Sequence, residues 1–151
     1  MKKVLNYLLV FLPWLLSGLL FRVDNDFYSK LSTPSFALNG KALAVAWLIL
    51  YILIATSIYI VRNKSDILKN KDYLYVLLTN YLSNQLFLYG FFSLKSPFMG
   101  FILTTITFVS TIFLFIETRK VDKRASYFIV PYLLFSVYAF IVALSVYIMN
   151  F

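Results

Sequence analysis

Asn80, Asn84, Phe87 and Phe91 fall at i, i+4, i+7 and i+11 of one long uncharged stretch, with Gln85 beside them. On a helix that spacing is a single stripe, so two carboxamides and two aromatic rings share a face. A carboxamide in apolar surroundings must find hydrogen-bond partners inside the protein. The stripe therefore admits two chemistries: interhelical hydrogen bonding, worth under about 2 kcal/mol per bond, or the polar contact of an aromatic-walled ligand cavity. Trp47 and Tyr51 form an i, i+4 pair in a second stretch, to be read either as interfacial belt residues or as a stacking surface. In the last stretch Pro131 precedes Phe135, Ala139 and Val142 on one face, and the proline loosens the backbone near residue 127. Gly100, Thr104, Thr107 and Thr111 make a stripe of small residues suited to close helix packing, within the subunit or between subunits.

The missing residue types are equally informative. The chain has no histidine and no cysteine, and none of its six acidic residues lies inside an apolar run. Buried-carboxylate proton relays, zinc and di-iron centres, disulfides and thiol or serine triads are all excluded. No metal and no resident cofactor is expected. Any chemistry would fall to aromatic side chains or to the ligand itself.

These residues must be positioned by elements suited to lipid. Of 151 residues, 62% are hydrophobic and only 20 are charged, too few to cover the surface of a soluble domain. Five runs are free of ionisable Asp, Glu, Lys, Arg or His: Val4–Phe21, Ala42–Val61, Tyr73–Leu94, Pro97–Ile116 and Ser126–Met149. At about 1.5 Å per residue each can cross a hydrocarbon core of about 30 Å. The expectation is an all-α membrane protein, a five-transmembrane-helix bundle forming one domain over residues 1–151, with helices about 4–21, 42–61, 73–94, 97–116 and 126–149. Strands of a membrane barrel would be about half as long and would alternate in polarity, which these runs do not. No small-x-small cleavage site follows the first run, so it is read as an uncleaved helix rather than a signal peptide.

Loop charge sets the expected orientation. Lys2, Lys3, Arg62, Lys64, Lys69, Lys71, Arg119, Lys120, Lys123 and Arg124 lie on one side; Arg22, Lys30, Lys41 and Lys95 lie on the other. Ten against four places the N-terminus in the cytoplasm and the C-terminus outside the cell membrane. The net charge of +8 sits at helix ends, so anionic membrane lipid, not nucleic acid, is the expected partner. The first loop, Arg22–Lys41, is 20 residues long and carries Phe27, Tyr28, Pro34 and Phe36, a composition suited to a lid folded over the bundle mouth.

Several of these residues meet a known pattern. Pro34-Ser35-Phe36 with Gly40, then Trp47-Leu48-Ile49-Leu50-Tyr51, resembles the Pro-x-Trp and Trp-x-x-Leu-Tyr of the TspO/MBR family, which includes translocator proteins and tryptophan-rich sensory proteins. Asn80, Asn84-x-x-Phe87 and Phe91-Phe92 resemble its Asn-x-x-Trp and Phe-Phe. Pro131-Tyr132-Leu133-Leu134-Phe135, Tyr138-Ala139 and Asn150 are similar to its Pro-Tyr-Leu-x-Trp, Phe-Ala and terminal Asn. The resemblance is to the bacterial type and runs through nearly the whole chain.

The resemblance implies a receptor or carrier, commonly dimeric, that binds porphyrin-like tetrapyrroles, haem-like compounds and other hydrophobic small molecules inside the bundle. Carried over by position, its ligand-binding residues are Tyr28, Phe36, Trp47, Tyr51, Asn84, Phe87, Phe135 and Ala139. Departures bear on function. Family tryptophans are Phe36, Phe87 and Phe135 here, the first-loop double proline is Leu38-Asn39, and the fifth-helix Asn is Ala143. No basic residue follows the last run, so a sterol-recognition motif is absent. A rival reading is an enzyme for light- or oxygen-dependent porphyrin breakdown, with Trp47 as its redox-active residue. A third is a structural membrane subunit whose polar stripes only pack helices.

Overall fold

A computed structural model describes residues 2–151; Met1 and the side chain of Lys2, one of the ten basic residues on the N-terminal side, lie outside the described residues. Among the described residues there is no strand. The first apolar run is three pieces rather than one: α1 (Lys2–Phe11), a 3-10 turn over Leu12–Leu15 and α2 (Leu16–Leu20). Pro13 explains the break, because it removes a backbone donor in mid-run. Next come α3 (Asn25–Lys30) within the first loop, α4 (Gly40–Lys64) and α5 (Lys71–Leu88). A π-helical turn over Tyr89–Ser93 continues α5, and α6 (Pro97–Val121) and α7 (Lys123–Met149) complete the chain.

The starts of α3 to α7 are written locally. Asp24, Asn39, Asn70, Ser96 and Asp122 each accept a hydrogen bond from the backbone N–H three residues on, at 2.8–3.3 Å. They satisfy donors that the first turn leaves unpaired, and Pro97 follows Ser96 at a position where its missing N–H costs nothing. Lys95, at φ 50°, makes the left-handed corner that reverses the chain between the π turn and α6. Helices α6 and α7 outrun their uncharged segments, and only Asp122 separates them, so Arg119, Lys120, Lys123 and Arg124 belong to helix ends rather than to a loop.

Four helical stretches are long and apolar enough to cross a membrane: Lys3–Leu20, Gly40–Lys64, Pro97–Val121 and Lys123–Met149. Helix α5 is shorter and more polar, and its polar side chains turn inward: Asn80, Ser83, Asn84 and Gln85 are all buried. The expected Gly100, Thr104, Thr107 and Thr111 face is buried within the subunit. Pro131 lies inside an α7 that remains continuously helical. Leu50, Ile54, Ile58 and Val61 of α4 meet Tyr73 of α5, Leu114 of α6, and Ile129 and Tyr132 of α7 in one core, with Trp14 at its edge.

Candidate functional site

Four of the eight expected residues come together around α4. The Trp47 indole lies 5.5 Å from the Tyr51 ring, 5.4 Å from Phe135 and 6.2 Å from Tyr132, centroid to centroid. The Tyr51 hydroxyl donates to Asn84 Oδ1 at 2.8 Å, and Asn84 Nδ2 donates a long bond of 3.4 Å to the Tyr132 hydroxyl. Tyr132 in turn donates to Asn80 Oδ1 at 3.0 Å. Asn80 Nδ2 faces three acceptors on α6: Ser110 Oγ and Thr111 Oγ1, both at 2.9 Å, and the Thr107 carbonyl at 3.2 Å. One polar chain thus links α4, α5, α6 and α7 through the apolar core. The two carboxamides differ sharply: Asn80 is saturated and structural, whereas Asn84 holds one short bond and one long one.

Tyr28 and Phe87 belong to a second cluster nearer the first loop. Phe87 stacks on Phe91 at 5.5 Å, while Phe27 and Tyr28 of α3 meet Phe91 and Phe92 at 5.6–6.4 Å. The loop is fastened on three sides. Asp24 pairs with Lys95 at 3.1 Å, and Ser32 exchanges two backbone hydrogen bonds with the Asn150 carboxamide at 2.8–2.9 Å. The Tyr138 hydroxyl accepts from Leu38 N–H and donates to the Phe36 carbonyl. Phe36 therefore contributes its backbone, and its ring is half exposed. Ala139 is partly buried on α7, one turn beyond Phe135.

Trp14 is not among the eight expected residues. This indole is 2% exposed and packs on Tyr51 at 5.7 Å, so Tyr51 contacts both tryptophans. It is held by the break in the first helix: the Tyr81 hydroxyl donates to the Pro13 carbonyl at 3.0 Å. Gln85 Nε2 donates to the Trp14 carbonyl at 3.3 Å, and Gln85 Oε1 accepts from Ser17 N–H at 2.8 Å. The signal available in the sequence was Pro13-Trp14 in mid-run, together with Gln85 one position off the carboxamide stripe. A groove of about 860 Å³ opens beside Trp14 between the first helix, the end of α4 and α5. A smaller one of about 410 Å³ runs along α5 and α6. None of the eight expected residues lines either groove.

A bundle of apolar helices joined by one buried polar chain, with a tethered first loop, defines an integral membrane protein with several polar residues turned inward. The chain belongs to the TspO/MBR family, whose model matches residues 7–149. It is 32% identical to the Uncharacterized membrane protein YtaB of Bacillus subtilis (strain 168), over 99% of both chains. It is 29% identical to the Tryptophan-rich protein TspO of Bacillus cereus, again over 99% of both.

Proposed function

We propose that this protein is a five-span membrane receptor or carrier for porphyrin-like tetrapyrroles and other hydrophobic ligands, bound at the Trp47, Tyr51, Asn84 and Phe135 cluster under the first loop as a lid. The observation that carries the reading is Asn84. A buried carboxamide with spare donor capacity, walled by aromatic rings, is a polar anchor in an apolar site. Family membership supports it. For the fifth span, Leu78, Leu82 and Leu86 form an exposed leucine stripe on the outer face of α5, which suits contact with lipid.

The test is equilibrium titration of the purified protein with a metal-free porphyrin, followed by tryptophan quenching. Saturable binding is expected. Asn84→Leu should weaken it several-fold, about 1 kcal/mol, and Trp47→Ala should weaken it further through lost contact area. Two folded variants that bind like the parent would refute the site. The charge bias places the N-terminus inside. Single cysteines at Ser29 and Ser65, labelled with an impermeant reagent in intact cells, should then react at 29 and not at 65.

The two indoles in contact with Tyr51 favour a second reading, weak light-dependent porphyrin breakdown initiated by transfer of one electron from an indole to the photoexcited porphyrin. Breakdown should fall in Trp47→Phe and again when Trp14 is also replaced. Unchanged turnover in the double variant would remove the indoles from the reaction.

A further inference from the structure

We propose that the groove beside Trp14 is a binding site for one anionic phospholipid, its acyl chain in the slot and its phosphate on Arg62. The groove is divided chemically along its length. Its walls are apolar, with Leu9 and Trp14 from the first helix facing Leu78 and Tyr81 from α5. Its mouth is polar, formed by the end of α4 and the segment after it, from Arg62 to Asp66. Leu9 and Leu78 are 57% and 45% exposed, so the slot is open sideways, toward lipid in a membrane-embedded chain. An aliphatic chain suits such walls, and a soluble anion would leave them uncovered.

Charge at the mouth selects the headgroup. Lys64 is engaged with Asp122 at 2.9 Å, and Asp66 with Lys69 at 3.6 Å. Arg62 makes no ion pair among the described residues, is exposed, and stands at the membrane-end turn of α4. A guanidinium there can take two phosphate oxygens in a fork while its stem lies along the apolar wall. The slot is also preformed. Tyr81 and Gln85 fasten the Pro13 and Trp14 carbonyls, so the wall carrying the indole does not have to be ordered on binding. This site is separate from the Trp47 cluster and does not depend on the tetrapyrrole reading. The two adjoin, because Trp14 also packs on Tyr51.

The chain has only two tryptophans, so Trp47→Phe leaves Trp14 as a single fluorescent reporter on the slot. The protein is reconstituted in phosphatidylcholine vesicles with a fixed fraction of either phosphatidylglycerol or phosphatidylcholine carrying brominated acyl chains, which quench an indole on contact. Brominated phosphatidylglycerol is expected to associate with the Trp14 site about fivefold more strongly than brominated phosphatidylcholine, the effect of one well-placed cation. Arg62→Gln should abolish the preference. Arg119→Gln, at the same end but off the groove, should preserve it. Equal quenching by the two lipids, a preference that survives Arg62→Gln, or equal losses in both arginine variants, the mark of diffuse attraction, would each overturn the site. The parent chain supports the same comparison with Trp47 as a constant background, so the test stands even where Trp47→Phe folds poorly.

Discussion

Asn80 and Asn84 have the same chemistry and occupy the same stripe, yet they hold different positions in the hydrogen-bond network. Asn80 is fully buried, with its amino group on three α6 acceptors and its carbonyl on Tyr132. Replacing it with leucine keeps the approximate volume but removes the acceptor of the Tyr132 hydroxyl and the amino group that faces the α6 oxygens, in the buried core. Asn80→Leu should destabilise the bundle by about 2 kcal/mol, measured by denaturation in detergent micelles. Asn84→Leu breaks one good bond and one weak one, and should cost about 1 kcal/mol or less while affecting ligand binding more. The reverse order of stabilities would contradict the division of roles.

At the scale of elements, the junction of α5 and α6 decides how the first loop is held. The π turn buries Gly90, Phe91 and Phe92 in succession. Gly90 lies against Leu103 and Gly100 against the Phe91 ring, so each helix offers a hydrogen where the other offers a side chain. A Cβ at Gly100 would overlap that ring, which is wedged between Phe87 and the α3 aromatics. Gly100→Ala should therefore cost about 1–3 kcal/mol by overpacking and should speed proteolysis within the first loop. At Gly90 the overlap is with the methyl end of the Leu103 side chain, with Met99 Cβ close by, and a leucine methyl can turn aside where a ring cannot, so Gly90→Ala should cost less.

The same loop is expected to respond to acid. The Phe27 N–H, and then the Lys95 ammonium, hold the Asp24 carboxyl below the ordinary carboxylate value. A group depressed in the folded state contributes stability that is complete above its unfolded pKa of about 3.9 and is lost as pH falls through the folded value. Loop tethering should be constant from neutral pH down to about pH 5 and weaken below pH 4. Asp122 behaves in the same sense, through the Ala125 N–H and then Lys64. Limited proteolysis across pH 3–7 reads the loop, and Asp24→Asn should remove its share of the pH dependence.

At the scale of the whole molecule, a bound macrocycle would have to be held without help from an iron ligand. Protein-bound haem iron is ordinarily ligated by His, Cys, Met or Tyr. This chain has no His or Cys, Met99 lies in the first turn of α6, Met149 ends α7, and the Tyr51 and Tyr132 hydroxyls are committed to Asn84 and Asn80. Met1 lies outside the described residues. Binding should come from burial of the ring, with propionates reaching the exposed Arg22, Lys30 or Lys41 at the loop end. Metal-free and iron-bearing porphyrins should then bind within about tenfold of each other. Paired titrations with absorption spectra test this, and a hundredfold preference for iron with an axial-ligand spectrum would be incompatible with it.

The sequence alone specifies lipid as the solvent, the helical class and the inward stripe. Long uncharged runs act through lipid partition and helical spacing through local backbone geometry, neither of which needs knowledge of neighbours. It also marked Trp47, Tyr51, Asn84 and Phe135, because helical periodicity is a local property. Which carboxamide is structural and which has capacity to spare follows only from the fold, since that depends on the acceptors α6 brings within reach. The fold alone divided Tyr28 and Phe87 from the Trp47 cluster, left the Phe36 ring half exposed, and brought Trp14 onto Tyr51. Residues 14, 51 and 84 belong to different helices, and their meeting is fixed by packing across the bundle, a non-local interaction that no spacing within one segment records.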